Sequence, residues 1–331
     1  MILFLGLIGG LLLLVVGAEL LVRGSVRLAE GWGVSKLLIG LTVVGFGTST
    51  PELVTSVQAA LLGSSGIAVG NIVGSNIFNI LLILGLSAVI APIPVAGAAL
   101  RRDGVLVVLT ALLLALIGLT STLDRMTGSM LLVLLVAYLV YAWKQERAPS
   151  VSGDHTAMFE KAEALEGLDP DLRPRDDRTR GLLESGGSLL IALAGLALLV
   201  FGARYFVQAS IDLARLLDVS ETVIGLTIVA AGTSMPELAT SILAAFRKQP
   251  DVALGNVLGS NIYNILGIGG VTAVIAPTSV PSHIASVDGP VMVGVSILLL
   301  LFLWTGRNLS RTEGALLVMG YAGYLVALMV T

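Results

Sequence analysis

The chain has no cysteine, and its 331 residues include only two histidines, His155 and His283. Disulfide bonds and thiolate metal centres are therefore excluded, and a nitrogen–sulfur site for a transition metal has almost nothing to be built from. Charge is scarce too: Asp, Glu, Lys and Arg make up 12% of the residues, about half the share in a soluble globular protein. In their place stand 56% hydrophobic residues and a mean hydropathy of +0.96. So few charges cannot clothe a water-soluble fold of this length, and the composition implies a polytopic membrane protein. The net charge of −3 says little, because in a bilayer the position of each charge matters more than their sum.

Apolar runs long enough to cross a bilayer, roughly 17 to 25 residues each, fall near 2–22, 36–62, 66–90, 103–120, 127–143, 184–206, 221–246, 252–275, 289–304 and 313–330. This predicts an all-α membrane protein of ten transmembrane helices. The first run lacks a basic leader and a small-residue cleavage site, so it reads as a helix and not as a signal peptide. With the N-terminus outside, sixteen of the nineteen Lys and Arg residues fall on the cytoplasmic side, and only Arg125, Arg204 and Arg215 lie outside. That bias predicts both termini outside and the charged, proline-bearing stretch 144–183 as a cytoplasmic linker. The linker is too short for a regulatory domain with its own core. A short amphipathic helix fits 156–165, and His155 and His283 read as solvated loop residues.

Residue n aligns with residue n+185 without a gap from Gly17 and Gly202 to Pro92 and Pro277. Thirteen of the eighteen positions in 39–56 are identical to 224–241, and nine of the twelve in 70–81 are identical to 255–266. The chain thus divides into a first five-helix repeat, 1–143, with its motif region at 39–92, and a second, 184–331, with its motif region at 224–277. Five is odd, so the second unit must enter the membrane from the opposite side. Inverted repeats with interrupted helices at matching positions are a pointer to a secondary transporter with its site at the repeat interface.

The interruptions carry the polar residues. Gly45-Phe46-Gly47-Thr48-Ser49-Thr50-Pro51-Glu52 returns as Ala230-Ala231-Gly232-Thr233-Ser234-Met235-Pro236-Glu237. A carboxylate at membrane depth is costly and is a functional-site candidate by default; Gly and Pro beside it free backbone carbonyls that need partners. Gly70-Asn71-Ile72-Val73-Gly74-Ser75-Asn76-Ile77-Phe78-Asn79 returns as Gly255-Asn256-Val257-Leu258-Gly259-Ser260-Asn261-Ile262-Tyr263-Asn264. Its glycines suit close helix packing. Asn79 and Asn264 are read as ion ligands, and Asn71, Asn76, Asn256 and Asn261 as structural. Glu19, with Arg23 four positions on, reads as an end-of-helix ion pair, and Asp103 and Asp288 as carboxylates favouring helix N-termini.

Inversion would gather Glu52 and Glu237 among Thr48, Ser49, Thr233, Ser234, Ser75, Ser260, Asn79 and Asn264. The set is all oxygen, which suits Ca²⁺; Mg²⁺ holds its waters more tightly. The same oxygens could hold several Na⁺ ions, and mutually exclusive occupancy would make the protein an exchanger. Protons would compete for the empty pair of carboxylates, so transport is expected to fall on acidification.

The paired G-T-S-x-P-E and G-N-x-x-G-S-N-I-x-N motifs, once in each half, resemble the α-repeats of the cation/Ca²⁺ exchanger superfamily, in particular its prokaryotic sodium/calcium exchanger branch. The resemblance covers all ten expected helices. It implies a Na⁺/Ca²⁺ antiporter, not an enzyme, with Ca²⁺ and Na⁺ as transported ions and no cofactor. By the same resemblance Ca²⁺ would be held by Glu52 and Glu237 with the carbonyls of Thr48 and Thr233. Flanking Na⁺ sites would use Ser49, Ser234, Ser75, Ser260 and the carbonyls of Gly45 and Ala230, with Asn79 and Asn264 completing the centre. The first and sixth helices would slide across the rest to alternate access. Proton-coupled relatives have Glu where this chain has Gly74 and Gly259, and potassium-dependent relatives have Asp where it has Asn264. The first departure makes H⁺ coupling less expected and the second puts K⁺ dependence in doubt; Na⁺/Ca²⁺ antiport leads, with H⁺-coupled divalent antiport as the alternative and a cation channel further off. The bilayer is the other expected partner; neither nucleic acid nor a protein partner is expected.

Overall fold

Backbone N–H and C=O groups in hydrocarbon must be paired within their own segment, so a chain this apolar folds almost wholly into helix. In a computed structural model, residues 2–95, 100–119, 122–147, 178–216 and 230–330 are described, and helix accounts for most of them. The helices are α1 (Ile2–Trp32), α2 (Lys36–Thr48), α3 (Thr50–Leu61), α4 (Ser65–Ile90), α5 (Arg102–Leu119), α6 (Arg125–Arg147) and α7 (Arg178–Leu216). After these come α8 (Ala230–Thr233), α9 (Met235–Phe246), α10 (Pro250–Ile275), α11 (Ile284–Gly306) and α12 (Arg311–Val330). Among the described residues seven helices are long and apolar enough to cross a membrane, and the bent pair α2–α3 makes an eighth. This is a multi-pass membrane protein.

Local chemistry explains where the helices break. Gly33 and Gly63 take positive φ values of 62° and 74°, which end α1 and α3 in the left-handed region that a side chain disfavours. At Ser49 the chain bends by 45° between α2 and α3, and Pro51, lacking an N–H, sits in the first turn of the new helix. Ser234 and Pro236 repeat that arrangement between α8 and α9. Among the described residues five turns widen to π geometry, Gly40–Val44, Asn79–Leu84, Leu100–Gly104, Asn264–Ile268 and Ile284–Asp288, and two of them begin on the motif asparagines. Such bulges are common where a helix must re-aim polar groups.

Helices α4 and α10 form the centre. In each, 78% of the residues in the apolar stretch are buried, against 28–39% in the other long candidate spans, which keep a face for lipid. On the outside of this core α1 and α7 run antiparallel against each other along glycines. A Cβ on Gly17 would lie 2.7 Å from the Leu199 nitrogen, and one on Gly195 2.5 Å from the Leu21 nitrogen. Small residues let the two backbones touch where no hydrophobic force would drive them together.

Two short antiparallel ladders join distant loops. β1 (Ile93–Pro94) pairs with β4 (Asn308–Leu309), and β2 (Thr122–Leu123) pairs with β3 (Thr278–Ser279). Each ladder takes one strand from each half of the sequence. Shifting β1 by 185 positions gives β3.

Several sequence expectations change here. The first helix runs on to Trp32, past the expected end at 22, so Arg23 and Arg27 lie within it. Helix also enters the expected linker from both ends, α6 to Arg147 and α7 from Arg178; the expected helix at 156–165 and His155 lie outside the described residues. Asp103 and Asp288 are not simple helix caps. Both are buried; Asp103 accepts hydrogen bonds from Arg102 (2.7 Å) and the Tyr138 hydroxyl (3.0 Å). Asp288 accepts one from the Tyr324 hydroxyl (2.8 Å) and lies 3.1 Å from His283 Nδ1, so His283 is not a merely solvated loop residue. A buried carboxylate needs partners, and the neighbouring helix supplies a tyrosine in both cases. Glu19 pairs with Arg23 as expected, but within α1 and not at its end, and also with Arg247 just past α9.

Candidate ion-binding site

The motif serines stand at the bends and the glutamates one turn later, where Pro51 and Pro236 begin the new helices. Both glutamates are buried, with 1% of their surface exposed. Each is tied to the other half of the chain. Ser49 donates to Glu237 Oε1 at 2.8 Å, and Ser234 donates to Glu52 Oε1 at 2.8 Å. The contacts are the same pair of residues exchanged between halves.

The threonines and the first asparagines of the second motif make a second crossed pair. Asn256 Nδ2 donates to the Glu237 carbonyl (3.2 Å) and to Ser241 (2.8 Å), while its Oδ1 is 3.1 Å from the Thr48 hydroxyl. Asn71 Nδ2 donates to the Glu52 carbonyl (3.1 Å) and to Ser56 (2.8 Å), with its Oδ1 3.4 Å from the Thr233 hydroxyl. The sequence reading left these two asparagines as structural. The identical pairing of Ser56 with Asn71 and of Ser241 with Asn256, at the same separation in both halves, was the signal that could have singled them out.

Of the other expected residues, Ser75 is buried with its Oγ 3.5 Å from that of Ser234, and Ser260 donates to the Gly45 carbonyl at 3.2 Å. Asn79 Nδ2 donates to Asn261 Oδ1 at 3.0 Å, and Asn261 in turn donates to the Asn76 carbonyl at 3.2 Å. The π turns that begin at Asn79 and Asn264 pack against the helices carrying Glu237 and Glu52 respectively. Ala230 opens α8.

The bonds left unmade are as informative as those formed. Glu52 Oε2, Glu237 Oε2, Asn79 Oδ1 and Asn264 Oδ1 are buried oxygens without a hydrogen-bond partner among the described residues. A buried, unpartnered carboxylate oxygen is among the most costly groups a protein can hold. Neither glutamate has an ion-pair partner among the described residues, whereas Glu19 and Asp103 do. Oxygens so placed could ligate a cation. Two carboxylates and several neutral oxygens match the hard-ligand shell of Ca²⁺ or of a monovalent hard cation, and the chain has no cysteine thiolate to draw a soft metal.

Apolar helices with broken spans around a buried cluster of carboxylate, hydroxyl and amide groups define a multi-pass membrane protein of the ion-transport class. The chain belongs to the sodium/calcium exchanger protein family, whose family model matches residues 2–144 and 187–330. It is 36% identical to the sodium/calcium exchanger MaX1 of Methanosarcina acetivorans, with 98% of each chain covered. It is also 36% identical to the inner membrane protein YrbG of Escherichia coli, covering 97% of this chain and 95% of the other. Its fold is similar to the solved structure of the sodium-calcium exchanger NCX_Mj, with a TM-score of 0.82, 33% identity and 99% of both chains covered.

Proposed function

We propose that this protein is a secondary antiporter that exchanges Na⁺ for Ca²⁺ by alternating access at one central site built on Glu52 and Glu237. The observation that carries the reading is the pair of buried glutamates, each bound through Oε1 to a serine of the other half and each left with an unpartnered Oε2. Those oxygens, with Asn79 and Asn264, the hydroxyls of Ser49, Ser234, Ser75 and Ser260, and the carbonyls of Thr48, Thr233, Gly45 and Ala230, form the shell. Ca²⁺ balances both carboxylates at once, and Na⁺ ions occupying the same oxygens exclude it; exchange follows from that exclusion.

The architecture we propose is ten transmembrane helices in two inverted five-helix repeats, 1–143 and 184–331, joined by the cytoplasmic linker 144–183, with both termini outside. The reciprocal hydrogen bonds support the two-fold relation, and so does the 185-residue shift that carries β1 onto β3. Support for the orientation comes from the cytoplasmic bias of the basic residues. Lys36 reaches Gln249 at 3.0 Å and Arg247 reaches Glu19, so these residues lie at one end of the protein, as that orientation requires. α1 and α7, packed on glycines outside the core, are the helices suited to slide as a pair.

Full burial of the glutamates speaks against an open pore and so against a channel. Against proton coupling, the chain has Gly74 and Gly259 in place of carboxylates, and at Gly259 a Cβ would run into the Leu41 carbonyl oxygen, although one on Gly74 would meet nothing within 4 Å among the described residues. The test is uptake of radiolabelled Ca²⁺ into proteoliposomes, driven in parallel by an outward Na⁺ gradient and by an outward H⁺ gradient without Na⁺. Na⁺-driven uptake is expected. Uptake with H⁺ alone would overturn the coupling ion, and uptake needing no counter-ion would overturn antiport.

A further inference from the structure

We propose that Asn71 and Asn256 are positioning residues: each aims the glutamate of its own half at the ion by clamping the main chain beneath it to the Thr-Ser bend of the opposite half. The inference rests on the antiport reading, and it concerns residues outside the proposed ligand shell.

The orientation of each amide follows from its surroundings. The Glu237 carbonyl can only accept, so Nδ2 of Asn256 must face it, and Oδ1 is left towards the Thr48 hydroxyl. Thr48 has one proton to divide between Asn256 Oδ1 at 3.1 Å and the Val44 carbonyl at 3.0 Å. Asn71 stands in the same relation to Glu52, Ser56 and Thr233. Each asparagine thus spends one donor contact on the first turn of the helix that bears the glutamate, one on its second turn, and one acceptor on the bend whose threonine carbonyl belongs to the proposed shell. The ligands of one half cannot shift without moving those of the other.

The clamp matters because the glutamate side chain is otherwise held at a single atom. Oε1 is bound by the serine of the other half, and Oε2 is the atom left for the ion. With Oε1 anchored, the direction of Oε2 depends on where the backbone of Glu52 or Glu237 sits, and the asparagine amide fixes that carbonyl. Serine and alanine have no group that spans both contacts; aspartate keeps the shape but turns an acceptor towards the carbonyl.

Asn71→Ala and Asn256→Ala are compared with the unaltered protein in Na⁺-driven uptake of radiolabelled Ca²⁺ by proteoliposomes. The expected result is a rise of about ten-fold in apparent KM for Ca²⁺, about 1.4 kcal/mol, with the maximal rate within about two-fold of the unaltered protein. Combining Asn256→Ala with Thr48→Val, its contact across the halves, should raise KM little beyond the worse single variant, whereas Asn71→Ala with Thr48→Val should multiply. A fall in maximal rate with KM unchanged, or independent effects in the contacting pair, overturns the clamp. So does failure of both alanine variants to purify as monodisperse protein, because the asparagines would then serve folding. Absence of Na⁺-driven uptake in the unaltered protein overturns the antiport reading instead.

Discussion

Replacing Glu52 by Gln changes one atom in kind and almost nothing in size. The amide oxygen can still accept from Ser234, which holds Oε1 at 2.8 Å, so the bend and the crossed contact survive. What is lost is the charge and the second oxygen, the one without a partner. At a Ca²⁺–oxygen distance of about 2.4 Å and an effective dielectric of about 20, one carboxylate attracts Ca²⁺ by about 14 kcal/mol before dehydration of both is subtracted. If a third of this survives, the net loss is about 4 to 5 kcal/mol, an affinity lower by a factor on the order of 10³. Na⁺, with half the charge, loses about half as much. Glu237→Gln should behave alike, because Ser49 holds it in the same way. Calorimetric titration of the purified variants with CaCl₂ measures the loss directly, and proteoliposome uptake measures its consequence. A folded Gln variant that binds Ca²⁺ within about ten-fold of the unaltered protein would refute the assignment of this carboxylate to the ion.

Other expectations follow from packing and capping. Gly259→Ala should give little folded protein, since its Cβ would meet the Leu41 carbonyl, whereas Gly323→Ala, with nothing near its Cβ among the described residues, should match or exceed the unaltered melting temperature; equal behaviour of the two would refute the packing account. Gly195→Val should wedge α1 from α7 at the Leu21 nitrogen, cutting Ca²⁺ uptake at least about ten-fold while calorimetric Ca²⁺ binding persists, because no proposed ligand lies on either helix. Asp124, whose Oδ1 accepts from the Thr127 N–H at 2.7 Å, caps α6, and these bonds from Thr127 hold its carboxyl below the usual range. Its folded-state value is depressed, so its stabilisation is present near neutrality and disappears in acid. The gap in melting temperature between the unaltered protein and Asp124→Ala should therefore close as pH falls below about 4.

The sequence by itself determined the solvent of this protein and the identity of its polar core. Composition alone excludes a soluble fold, and the 185-residue repeat pairs Glu52 with Glu237, Ser49 with Ser234 and Asn79 with Asn264 before any coordinates are considered. Such features are local: hydropathy, a break at Gly and Pro, a carboxylate where none should be. The tertiary structure decided everything that depends on contact between the halves. That Ser49 reaches Glu237 across 188 positions, and Ser234 reaches Glu52 across 182, leaves no mark in helical periodicity. The same is true of the amides of Asn71 and Asn256, which look like packing residues until the carbonyl beneath each glutamate is seen to accept from them. Asp103 and Asp288 show the same limit from the other side. A carboxylate at a helix start reads as a cap, and only the tyrosines of neighbouring helices, Tyr138 and Tyr324, reveal a buried interhelical bond. Local propensity records what a residue needs; which partner meets that need is a property of the packed helices.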